Sequence, residues 1–135
     1  MSAAQILART AALMAVVLLG HGAASVAPTD GGANIGIGLA AFAVCAAVAL
    51  LLGVRDGRRG RLGALVRGWV VIAVLLGAAA SASISAVEAL RGNGFSMTVL
   101  VSDLTGSAPF LAVLVATPAL LGIAVSASRR AVPER

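Results

Sequence analysis

Apolar residues fill four long blocks of this chain almost completely, at about residues 10–27, 34–54, 69–90 and 107–127, with polar residues gathered between them. No charged side chain occurs between Asp30 and Arg55, and none from Leu104 to Ser128. At a helical rise of 1.5 Å per residue each block is about 27 to 33 Å long, close to the roughly 30 Å of a bilayer's hydrocarbon core. Helix is the conformation expected, because an open strand leaves backbone groups unsatisfied in lipid and the blocks lack the two-residue alternation of a barrel. The pattern predicts an all-α membrane protein, a bundle of four transmembrane helices occupying residues 1–135 as one domain.

The connections differ in charge. Residues 28–33 carry only Asp30, residues 55–68 carry five Arg against Asp56, and residues 91–106 carry Arg91 and Asp103. Arginine collects on the cytoplasmic side of membrane proteins, so the 55–68 connection, Arg9 and the Arg-rich C-terminus predict an N-in/C-in topology. Residues 28–33 and 91–106 are then outer loops. Arg55, Arg58, Arg59, Arg61, Arg67, Arg129 and Arg130, with Trp69 at the start of the third block, read as topology and lipid anchors against an anionic inner leaflet. Gly57, Gly60 and Gly63 argue against a helix in the basic connection. In the last connection, Asn93-Gly94 marks a turn, and the alternation from Phe95 to Ser102 suggests an extended segment on the outer end of the bundle.

Two features of the N-terminal block bear on processing. Arg9, the apolar run from Ala11 to Leu19 and the small residues Ser25-Val26-Ala27 imitate a secretory signal peptide. Pro28 would be the first mature residue, however, and the apolar stretch outruns a signal's core, so a retained first span is expected.

Composition adds a source and removes some functions. Hydrophobic residues make up 60% of the chain and charged ones 11%, against about 25% charged in soluble domains. The net charge is +5, but the arginines punctuate apolar blocks and do not line a surface, so nucleic-acid binding is not expected. All ten basic residues are Arg, which together with abundant Ala, Gly and Val suggests the plasma membrane of a GC-rich bacterium. Cys45 is the only cysteine and forms no intrachain disulfide.

Few residues offer chemistry. Gly77, Ser81, Ser85 and Glu88 recur at steps of four, four and three, which puts them on one helix face. Gly77, Ser81 and Ser85 form a candidate helix-packing face, the serine hydroxyls bonding across it or back to carbonyls of their own helix. Pro118, after Thr117, is expected to bend the fourth span. His21, Ser25 and Glu88 form a candidate outward-facing polar site, His21 and Glu88 differing in depth by roughly 6 Å, with Asp30, Arg91 and Asp103 at its rim. No metal-ligand spacing, haem ligand pair, phosphate loop or nucleophile elbow is present. The expectation is a non-enzymatic protein without cofactor or metal, structural or accessory, packing with itself or a larger membrane complex. The alternative is a small oligomeric transporter or channel built around His21 and Glu88.

Overall fold

The computed structural model describes residues 1–26, 32–59, 61–90, 94 and 96–130; of residues 25, 32–35, 84, 88 and 130 it describes the backbone alone. Five helices succeed one another: α1 (Ala3–Val26), α2 (Gly32–Gly57), α3 (Leu62–Glu88), α4 (Met97–Thr105) and α5 (Ser107–Arg130). The described residues contain no strand. Four helical segments are long and apolar enough to cross a membrane, which marks a multi-pass membrane protein.

Three boundaries differ from those expected of the sequence. The basic connection is largely helical: α2 runs on through Arg55 and Asp56 to Gly57, and α3 starts at Leu62. Residues 58 and 59 form the described part of the turn between them. Helix persists there because Asp56 and Trp69 are bonded inside the bundle, a tertiary gain that outweighs the glycines' low propensity. From Met97 on, the expected extended segment is instead α4, whose N-cap Ser96 accepts a hydrogen bond from the Val99 amide at 3.4 Å. The first helix also begins earlier than the apolar block, at Ala3. There Ser2 and Gln5 exchange backbone-to-side-chain bonds of 3.0 and 3.3 Å in a capping box.

The four long helices close a ring in the order α1, α2, α5, α3, with α2 and α5 the most extensive pair. The bond from Ser126 Oγ to the Val54 carbonyl, 2.8 Å, joins the C-terminal ends of α2 and α5, so these helices run parallel. Lipid tails are as apolar as leucine, and burial alone does not hold helices together in a membrane; close backbone approach does. Accordingly the α2–α5 seam is made of glycine. A Cβ on Gly53 would collide with the Ala119 carbonyl oxygen, one on Gly57 would lie 2.9 Å from Ile123, and one on Gly122 2.7 Å from the Val54 nitrogen. Gly77 does the same between α3 and α5, 2.6 Å from the Ala108 carbonyl oxygen. Helix α5 continues through Pro118. The core lies toward the Arg-rich end, where Trp69, Leu13, Ile72, Leu76, Val115 and Ile123 are buried together with Cys45.

Helix α4 has no buried residue. Taken together, residues 97–129 would form a rod of about 50 Å, longer than a hydrocarbon core. The chain breaks at Gly106, leaving α5 as a span of about 36 Å.

Candidate functional site

Polar groups converge at the Arg-rich end. Asp56, one residue from the end of α2, is 6% exposed. Its Oδ1 accepts from Arg9 Nη2 on α1, and its Oδ2 accepts from the indole Nε1 of Trp69 on α3 at 3.0 Å. One carboxylate thus ties three helices together at the level where they leave the apolar zone. Trp69, expected as a lipid-facing anchor, is fully buried, its ring in the core and its single donor spent on Asp56. Arg9 keeps a second terminal nitrogen, Nη1, buried and, among the described residues, without a partner. Beside the cluster lies a cavity of about 540 Å³ between α1 and α2, to which Gln5, Arg9, Arg55, Asp56 and Arg59 contribute polar groups. Arg55, Arg58, Arg59, Arg61, Arg67 and Arg129 are exposed around this end, while the Arg130 side chain lies outside the described residues.

The opposite half of the bundle holds a second cavity, about 250 Å³, with walls from all four long helices. Among the described residues its lining is apolar apart from His21, Ser83 and Ser107, and His21 is the one titratable side chain. The hydroxyls of Ser83 and Ser107 are spent on the Ala79 and Asp103 carbonyls at 2.7 and 2.9 Å. Phe42 and Phe110, both in the lining, meet edge to face with centroids 5.6 Å apart. The side chains of Ser25 and Glu88 lie outside the described residues, as do Asp30 and Arg91, while Asp103 is half-buried.

Gly77, Ser81 and Ser85 are all buried. The serines differ from the expected hydrogen-bonded seam: among the described residues neither Ser81 Oγ nor Ser85 Oγ has a partner. Ser126 makes the bonds foreseen for that residue type, to Val54 on α2 and to Gly122 on its own helix at 2.9 Å. Among the described residues no group of three or more His, Cys, Asp or Glu is placed to hold a metal ion.

Sequence reasoning missed Asp56 as a counterion and Gly53 and Gly57 as a seam. Both signals were present: Asp56 is the one acid among five arginines, and Gly53 and Gly57 have the Gly-xxx-Gly spacing of close helix pairs. Ending the second span at Val54 hid them, because it assigned Asp56 and Gly57 to a loop.

No protein family, curated protein or solved structure matches the chain.

Proposed function

We propose that this chain is a non-enzymatic multi-pass protein of a bacterial plasma membrane, with both termini in the cytoplasm. Its role is structural or accessory, and it packs through α1 against a further transmembrane helix of a second copy or a larger membrane complex. The observation that carries this reading is the state of α1. In its most apolar stretch 6% of residues are buried, against 41% in α3. Among its described side chains Leu13 alone is fully buried, and Ala4, Ala11 and Ala15 lie exposed on the opposite side. The exposed Val70, Val71, Val74 and Leu75 of α3 offer no such stripe, while on α1 the alanines are flanked by exposed Leu7, Leu18 and Leu19. Small residues gain little against lipid and allow close approach of a helix.

Cysteine cross-linking in native membranes tests this. In a Cys45→Ala background, Ala11→Cys and Ala15→Cys are expected to give oxidised adducts, whereas Val74→Cys on the lipid face of α3 gives none. An adduct of twice the chain's mass identifies a second copy, and another mass a larger complex. Absence of adducts at both α1 positions overturns the reading.

The transporter alternative keeps one observation in its favour, the cavity among all four long helices with His21 in its wall. Proton flux into proteoliposomes that is lost on His21→Ala would support it; flux unchanged by that substitution removes it.

A further inference from the structure

We infer that the cavity between α1 and α2 at the Arg-rich end is a binding site for the phosphate headgroup of an anionic phospholipid, held by Arg55 and Arg59 beside the Arg9–Asp56 pair. Three guanidinium groups and one carboxylate line the cavity, which leaves two positive charges in excess. The carboxylate is fully engaged, since Arg9 occupies one oxygen and Trp69 the other. Arg55 and Arg59 are exposed and, among the described residues, have no ion-pair partner. Guanidinium matches phosphate by paired N–H donors and remains charged at any physiological pH.

The rest of the lining selects an amphiphile over a free anion. Ala12 stands one helical turn deeper than Ala8 on α1, and Leu52 stands one turn deeper than Asp56 on α2, so the deep end of the lining is apolar; Met1 and Leu65 add apolar surface at the Arg-rich end. The polar side chains stand at the Arg-rich end of the cavity, and below them only apolar residues face it. That is the order of groups in a phospholipid, headgroup first and acyl chain below. A volume of about 540 Å³ is in the range of small-molecule sites, roughly 300 to 1,000 Å³, and exceeds what a phosphate ion needs. Basic pockets between helices at the cytoplasmic face are a recurrent mode of anionic-lipid recognition. The site does not depend on which partner α1 takes.

The test uses the full-length protein in a neutral detergent, with lipid retention read by native mass spectrometry and affinity by Trp69 fluorescence. Phosphatidylglycerol is expected to bind saturably and phosphatidylcholine weakly. Replacing both site arginines (Arg55→Gln with Arg59→Gln) should weaken phosphatidylglycerol about thirtyfold, given roughly a fivefold contribution per such charge near an anionic lipid. Arg61→Gln with Arg67→Gln removes the same charge outside the cavity and should leave affinity within about twofold. Ala12→Phe fills the cavity with every charge kept, and loss of binding is expected there too. Equal weakening by the two arginine pairs, or full binding by Ala12→Phe, would overturn the site in favour of diffuse attraction. Displacement of the lipid by millimolar inorganic phosphate would overturn the lipid assignment. An unchanged thermal midpoint and Trp69 emission in each variant separates loss of the site from loss of fold.

Discussion

Asp56 is nearly out of contact with solvent and holds the Arg9 guanidinium and the Trp69 indole at once. Its removal leaves a cation partly buried in a low-dielectric setting and an indole donor unpaired, and breaking such a pair from one side costs about 3 to 5 kcal/mol. Asp56→Ala is therefore expected to lower stability by that amount, read by SDS titration of micellar protein with Trp69 fluorescence as probe. Replacing both partners, Arg9→Met with Asp56→Leu, removes the stranded charge along with its counterion. The double variant should be more stable than Asp56→Ala alone, and equal or lower stability would count against the pair's burial. Ser81 and Ser85 are the opposite kind of buried polar residue. Their hydroxyls have no partner among the described residues, so Ser81→Ala, which removes an unmet donor and little volume, is expected to be neutral or slightly stabilising in the same titration.

Among the elements, the α2–α5 seam is where shape decides most. Gly53, Gly57 and Gly122 bring two parallel backbones within a distance that no side chain permits. A leucine at Gly53 or Gly122 must push the helices apart, at a cost above the about 1 to 3 kcal/mol of ordinary overpacking because the obstacle is backbone and cannot rotate away. Gly36, on the same helix as Gly53, meets nothing within 4 Å of an added Cβ. Gly36→Ala should raise stability by about 0.5 to 1 kcal/mol through reduced backbone freedom. Measured together, the two substitutions should differ in sign; if both destabilise alike, α2 and α5 do not meet at these glycines.

For the whole molecule, α1 is the helix with most to decide. Little of it is buried, yet Arg9 binds Asp56 of α2 and Leu13 enters the core. Cutting the chain after Ala27 would strip Asp56 of its counterion, so the purified membrane protein is expected to retain α1. Intact mass spectrometry checks this, and a species beginning near Pro28 would refute it. Reporter fusions belong at the same scale. A cytoplasm-active reporter at the Arg58 turn should be active and one in the 91–106 connection silent, the reverse pattern refuting the proposed orientation.

Four helices of membrane length were legible in the sequence because the constraint is local: in hydrocarbon each backbone group must be satisfied within its own segment, so apolar length alone specifies the element. The charge asymmetry between connections is local in the same way. Tertiary structure decided every feature that depends on pairing. Asp56 and Trp69 read as loop and anchor until α1 supplied Arg9, and Gly53 and Gly57 read as helix end and turn until α5 lay against them. Alanine and glycine are too common here for their spacing to name a partner. Which small residues form a seam and which face lipid depends on where the neighbouring backbone sits, and only the packed bundle specifies that.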